Sequence, residues 1–352
     1  MLFRLQKSNI SEETRKLQFT GGSTYILSLP KRWITQNQLK KGSVIKLREE
    51  EGGLLSIMPT DTTLQLERSE EATIRVTPRD SPDAIIRKTV ATYLVGYNMI
   101  HIRAEGQKQL SGKQRHDVKD FSRRMLVGTE IVTDTPQELT LQVLLSYPEL
   151  SIQSALRRMS IITSSMHKDA LSALRELDHQ QAKEVAASDS EVDRFNLYIV
   201  RQLKTAIQNP RLIREIGLEN ARDCLGYRLV TKSVERTADH AANIAENVLL
   251  LKKRLKTEIL EKLEEMSKIA ISMFETSVEA LMRQDYTLAE SIIEKTREVI
   301  SIEKDAVIIS QKFEIEEAPY LRLIIESIRR TAEYASDIAE IVLNLTVESI
   351  LV

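Results

Sequence analysis

The sequence predicts a mainly α protein, with six long helices in two sets of three behind a small β module and a small α+β domain. Three observations carry that expectation. After Pro148 the text runs on with few helix breakers and with apolar residues at heptad spacing. Two stretches within it, 234 to 248 and 328 to 342, align without gaps at an offset of 94 residues, the mark of a repeated unit. The composition, 42% hydrophobic and 29% charged with only 5% aromatics, 11 Gly and 8 Pro, is closer to helical proteins than to β-sandwiches. At 352 residues the chain exceeds what one hydrophobic core usually serves. The expected divisions are 1–62, 72–146, 150–254 and 256–352.

From Arg15 to Pro59 short β-rich runs are separated by the turn signals Gly21-Gly22 and Gly52-Gly53. Between them Pro30-Lys31, a polar stretch and Lys41-Gly42 read as one or two helical turns and a tight return, so about four strands and one short helix are expected. Residues 72 to 145 alternate strand and helix patterns. Ser81-Pro82 and Ser111-Gly112 are helix starts, with Ser as the N-cap and Pro at the first helical position of the first. The basic helix from Lys113 to Arg124 reads as a solvated face. In the last part, Ile152, Met159, Met166 and Ala173 interleave with Leu156, Thr163, Ala170 and Leu177 as a bundle helix. Further helices are expected from about 183 to 208, 216 to 254, 257 to 284, 286 to 313 and 319 to 349, with Pro210 and Pro319 marking boundaries.

Charge is uneven along the chain. Residues 1 to 48 hold ten Lys or Arg against two acidic residues, although the whole chain has a net charge of -1. A basic head on an acidic body suggests an anionic partner at one end. The single cysteine, Cys224, excludes an intramolecular disulfide and a cysteine-based zinc site. No apolar run approaches the roughly 20 residues of a membrane span, and the first residues lack the apolar centre of a signal peptide, so a soluble cytoplasmic protein without membrane insertion is expected.

On a helical wheel Val234, Ala238, Ala241, Ala245 and Val248 form one stripe of small apolar residues that admits a close neighbour. Glu235, Asp239, Asn243 and Glu246 fall on another face. Asp189, Asp193 and Asn196 share a face of an earlier helix. Repeated acidic pairs repel one another and attract hard cations, whose preferred ligands are carboxylate oxygens. The plainer alternative is an acidic solvated surface.

Two resemblances sharpen this. The run from Glu235 through Arg236, Asp239, His240, Asn243, Ile244 and Ala245 to Glu246 closely resembles the ERxxDHxxNIAE signature of the PhoU family, over about 150 to 352. Asp189 to Asp193 and Glu235 to Asp239 fit that family's acidic motif of a carboxylate, three residues and Asp. The resemblance implies two antiparallel three-helix bundles that hold iron, zinc or manganese on those faces and signal phosphate status. It implies as partner the ATPase of a phosphate transporter or another phosphate-signalling protein. The expected ligands are Asp189, Asp193, Glu235 and Asp239 in an exposed site, with a carbonyl oxygen from Asn243. In the second copy Arg329 stands where Glu235 does, so Asp305, Glu333 and Asp337 are expected to be weaker ligands. His240 reads as a hydrogen-bonded structural residue.

The head, with its Leu-Pro-Lys, Lys-Gly-Ser-Val and Gly-Gly pattern, resembles the SpoVT/AbrB family of swapped-hairpin barrels over about 45 residues. That implies a homodimer and contact with DNA. Arg15, Lys16, Lys31, Arg32, Lys40 and Lys41 are the candidate phosphate contacts. The combined expectation is a phosphate-uptake regulator that binds metal and DNA and is not an enzyme. Two alternatives stay open: a dimeric partner-binding module without DNA contact, and a metal-dependent hydrolase. The second lacks a Ser or Cys nucleophile constellation and a Gly-rich phosphate loop.

Overall fold

The computed structural model describes residues 13–22, 24–50, 53–60, 71–106, 108–145, 150–208, 210–310 and 317–351. The chain divides into two units, Met1–Ser69 and Glu70–Val352.

The first unit is two antiparallel hairpins and a short helix. Strands β1 (Gln18–Thr20) and β2 (Thr24–Ile26) pair around Gly21 and Gly22, whose positive φ values of 62° and 79° are what a tight hairpin turn demands. Helix α1 (Lys31–Gln36) follows Pro30, and β3 (Ile45–Glu50) pairs with β4 (Leu54–Pro59) in register from Ile45 opposite Pro59 to Glu50 opposite Leu54. The turn residue Gly52 lies outside the described residues; Gly53 turns at φ 77°. Among the described residues of this unit none is buried. Leu17, Phe19, Tyr25, Val44, Leu47, Leu54 and Leu55 are all more than half exposed.

The second unit opens with a four-stranded sheet. Strands β5 (Glu71–Val76) and β6 (Met99–Ala104) are parallel and joined through helix α2 (Pro82–Val95). Helix α3 (Gly112–Met125) leads into the hairpin of β7 (Thr129–Asp134) and β8 (Glu138–Val143), and the strand order is β5-β6-β8-β7. Both helix starts are as expected. The Ser81 hydroxyl accepts from the Ala84 amide at 3.2 Å, and Ser111 forms a capping box with Gln114. The Gln114 amide also reaches the carbonyls of Thr77 and Asp80, which ties α3 to the loop before α2. Ile85, Tyr93 and Val118 on the helices bury one face of the sheet with Ile74, Ile100, Ile102, Leu139 and Leu141. Alternation along each strand leaves Thr73, Arg75, His101, Arg103 and Glu138 on the other face.

Seven helices complete the unit among the described residues: α4 (Ile152–Glu176), α5 (His179–Ile207), the short α6 (Pro210–Glu215), α7 (Ala221–Val248), α8 (Thr257–Arg283), α9 (Tyr286–Ser310) and α10 (Ala318–Thr346). Helices α4, α5 and α7 pack as one bundle and α8, α9 and α10 as another; α7 lies against α10 and α4 against α8. One apolar core runs through both bundles. The predicted heptad residues of α4 are buried up to Ala173. Leu177 departs from expectation, ending α4 at φ 53° and only half-buried. All five residues of the small stripe on α7 are buried, and the glycine at 226 brings α10 close, since a Cβ there would stand 2.9 Å from Leu345 Cδ2.

Some helix boundaries differ from expectation for local reasons. Helix α5 begins at 179 rather than 183 because the Asp178 carboxylate accepts from the amides of Gln180 and Gln181. The helix expected from 216 begins at Ala221: Gly217 turns at φ 85°, and Asn220 with Asp223 makes a capping box. It ends at Val248, not 254, where the chain turns through Leu249 to Leu251. Pro210 opens α6 rather than separating two long helices. Pro148 and the expected end of α9 at 313 lie outside the described residues.

Candidate functional site

The first acidic face is built by α5 and α7, which pack against each other in the first bundle. Spacings of three and four put Asp189, Asp193 and Asn196 on one side of α5 and Glu235, Asp239, Asn243 and Glu246 on one side of α7. The face is not exposed as expected: Glu235 is buried, Asp189, Asp193 and Asp239 are half-buried, and Asn243 is exposed. The packing of α5 on α7 takes this face partly out of solvent.

That burial sets the electrostatics. Desolvation pushes the Asp189 carboxyl up to about 7, with further upward contributions from Asp193, Asp239, Glu235 and Glu246. Desolvation and Glu235 raise Asp239 to about 6, partly opposed by Lys232 and Arg236. Asp193 is raised by burial and Glu235. Glu235 itself forms an ion pair with Lys232, one turn earlier on the same helix. Asp189 Oδ1 and Asn196 Oδ1 are buried without a hydrogen-bond partner, a state that costs free energy unless a proton, water or cation completes them.

These donors are all oxygen, crowded and under-satisfied, which fits a hard cation in chemistry. Their placement is looser: among the described residues no group of three or more His, Cys, Asp or Glu side chains is arranged to hold a metal ion. Glu235 is held by Lys232 in this arrangement.

The corresponding face of the second bundle is neutralised by arginine. Arg329 forms ion pairs with Glu303 at 3.1 Å, with Glu326 at 2.7 Å and with Glu333, while Arg330 reaches Glu326 at 2.8 Å and Glu333 at 3.0 Å. Glu333 is thus occupied by cations of its own helix. Asp337 is exposed, and its carboxyl is raised by partial burial and by Glu340 and Glu333. Asp305 falls on α9, but its side chain lies outside the described residues. Glu303 and Glu326, which the sequence reading passed over, are the carboxylates that meet Arg329. The spacing of Glu326 to Arg329 and Arg330 was the available signal. His240 is hydrogen-bonded to Ser327 Oγ at 3.1 Å, and Cys224 is buried and free, as expected of helix residues.

In the first unit Arg15 forms an ion pair with Glu13. Lys16, Lys31, Arg32, Lys40 and Lys41 are exposed, and among the described residues none of them has an ion-pair partner. Lys31 and Arg32 occupy the first turn of α1, where the helix dipole disfavours cations unless an anion is near.

Comparison with known proteins agrees with this architecture. The model of the PhoU domain matches residues 156–248 and 263–342, one stretch for each bundle. The two helical bundles are PhoU domains. Its head matches the model of the antidote-toxin recognition MazE, bacterial antitoxin, over residues 18–65. A phosphate-specific transport system accessory protein PhoU homolog of Aquifex aeolicus is 28% identical over 148 residues, covering 41% of this chain and 62% of the relative. A homolog of the same description from Caulobacter vibrioides is 36% identical over 100 residues, or 28% of this chain and 40% of the relative. These matches therefore span less than two thirds of the relatives' own length. In three dimensions the chain is similar to the phosphate transport system regulatory protein PhoU from Streptococcus pneumoniae. That likeness has a TM-score of 0.50 at 21% identity and covers 57% of this chain and 96% of that one. PhoU from Pseudomonas aeruginosa gives a TM-score of 0.50 at 19% identity, over 56% of this chain and 96% of that one. Both share the fold of the helical bundles. No helix among the described residues is long and apolar enough to cross a membrane.

Proposed function

We propose that the chain is a dimeric, cytoplasmic regulator of phosphate uptake and phosphate homeostasis that works by binding rather than by catalysis. The observation that carries this reading is the pair of PhoU-domain bundles, whose curated relatives are named as accessory proteins of phosphate-specific transport. Its partner in this reading is the ATPase of a phosphate transporter or another phosphate-signalling protein.

The acidic face of the first bundle is the metal site of this reading. Asp189, Asp193, Glu235 and Asp239 would hold iron, zinc or manganese, with Asn243 offering a carbonyl oxygen. The ion would supply positive charge that relieves the mutual repulsion of these carboxylates. The unpartnered Asp189 oxygen and the raised carboxyl groups support this assignment. In the second bundle the arginine pair already supplies positive charge, so Glu333, Asp337 and Asp305 would bind metal less well.

The head is the DNA-binding and transcription-regulating part, with Lys16, Lys31, Arg32, Lys40 and Lys41, and Arg15 once freed from Glu13, as phosphate contacts. The exposed apolar residues of the head favour dimerisation equally in a second reading, in which it contacts no DNA. Uptake of labelled phosphate in cells lacking this gene tests the function: uptake should become insensitive to external phosphate, and the intact chain should restore control. Unchanged regulation in the deletion strain sinks the reading.

A further inference from the structure

The face of the four-stranded sheet turned away from α2 and α3 carries an arrangement that neither the bundles nor the cations of the head explain. Arg75 of β5 and Arg103 of β6 are partners in the parallel ladder, and both point away from the helices. Like charges side by side on neighbouring strands repel and need compensation. Arg103 has it, from Glu138 at 3.1 Å. Glu138 is then saturated, since it also meets His101 Nδ1 at 2.8 Å and accepts from the Thr140 hydroxyl at 2.9 Å. Arg75 has no hydrogen-bond or ion-pair partner among the described residues.

The two arginines are the penultimate residues of their strands. They therefore stand at the carboxyl ends of two parallel strands, beside the loops that follow them. A cleft of about 470 Å³ is present there, lined by Thr73, Arg75, Arg103, Ala104, Glu105 and Gly106. That volume suits a small molecule. Two guanidinium forks carried on neighbouring strands offer more donors than a single carboxylate can accept, and suit the several oxygens of a tetrahedral dianion.

We propose that this cleft binds a phosphate group, free or as the phosphomonoester of a small ligand. Arg75 and Arg103 clamp its oxygens and Thr73 donates its hydroxyl. Glu105, on the rim, lowers the affinity and competes for Arg75. The proposal rests on the sheet alone and stands whether or not the regulatory reading holds.

Calorimetric titration of the full chain in a chelator-containing buffer tests it, with inorganic phosphate and AMP as separate probes. At least one probe should bind saturably with one site per chain. Loss of a charged hydrogen-bonding partner in Arg75→Ala or Arg103→Ala should weaken it by about 10-fold or more, and Glu105→Gln should tighten it. Tighter binding of phosphate than of AMP identifies the free ion; the reverse identifies a phosphomonoester. The proposal is overturned by no saturable binding of either probe up to about 10 mM, or by unchanged affinity in both arginine variants. It is also overturned if only the Glu105→Gln variant binds, because Arg75 then pairs with Glu105 in the natural chain. Both arginines are exposed, so near-ultraviolet circular dichroism of the variants should match that of the natural chain.

Discussion

Asp189 and His167 are both displaced from their ordinary titration by burial, with opposite consequences for acid stability. His167 is fully buried, with Nε2 2.8 Å from Ser267 Oγ, and burial together with Lys168 lowers it to about 4. The unfolded chain takes up that proton near pH 6.5 and the folded chain does not, so stability is lost as pH falls from 6.5 toward 4, by about 3 kcal/mol in all. The Asp189 carboxyl is raised to about 7, so the folded chain takes its proton first and stability is gained as pH falls from 7 toward 4. Asp189 is half-buried, and solvent screening leaves about 1 kcal/mol of that gain. Asp239, raised to about 6, acts in the same sense as Asp189, so the histidine and the carboxylates oppose one another and single variants separate them. Relative to the natural chain, Asp189→Asn should lose more stability between pH 7 and pH 5 and His167→Asn less, as read by Tm against pH with chelator present; parallel curves for all three proteins would contradict the assignments. A second prediction concerns Glu235 and Asp239. Changing them to Gln and Asn keeps size and removes charge, so metal content after equilibration with iron, zinc or manganese should fall while apo stability holds or rises. The same changes at Glu333 and Asp337 should matter less, because Arg329 and Arg330 already satisfy Glu333. Equal metal content in all variants by elemental analysis would leave these faces merely solvated.

At the scale of elements, Arg201 of α5 ties the bundle to the sheet domain, on which α5 also packs through α2 and α3. Arg201 is 2% exposed and donates to the carbonyls of Tyr93 and Gly96, at the end of α2, and to Asn98 Oδ1 at 2.7 Å. Its guanidinium also lies 4.7 Å from the centre of the Tyr93 ring. Arg201→Leu leaves those acceptors buried and unpaired, so it should cost about 2–4 kcal/mol by denaturant titration. Amide exchange should speed up between 93 and 98, and protection there equal to that of the natural chain would refute the role. Nothing in the sequence announced this contact. Arg201 falls in the run Tyr198 to Leu203, which is buried throughout, and its acceptors are over 100 residues earlier in the chain. Local signals were readable where local physics decides. Ser81 and Ser111 cap the predicted helices, and Val234, Ala238, Ala241, Ala245 and Val248 are buried as their spacing requires. Readable too, though unused, was the three-residue spacing of Lys232 and Glu235. What stayed hidden was register between helices: Glu303 meets Arg329 through the packing of α9 on α10, which no local spacing encodes.

For the molecule as a whole, the head poses the plainest physical problem. A unit in which Phe19, Tyr25, Leu47, Leu54 and Leu55 are all more than half exposed, and in which no described residue is buried, has not removed its apolar surface from water. The Phe19 and Tyr25 rings, 5.1 Å apart, cover only part of each other. A second copy of the same hairpins is the simplest complement, since a two-fold axis makes one apolar patch serve both sides. The intact chain should therefore be a dimer at micromolar concentration in analytical ultracentrifugation. Removal of residues 1 to 60 should leave a soluble helical monomer, because the bundles have a core of their own. Dimerisation would also double the number of exposed cations, setting Lys16, Lys31, Arg32, Lys40 and Lys41 of one copy beside those of its partner. DNA binding by such a surface must weaken steeply with salt, by a log-log slope of about 0.9 for each phosphate neutralised. Replacing Lys31, Arg32, Lys40 and Lys41 by Ala should flatten that slope without changing the sedimentation coefficient, since none of the four is buried. Two results separate the readings. A dimer that retains no DNA even at low salt reduces the head to a dimerisation device, whereas a stable monomer of the intact chain removes the reason for both.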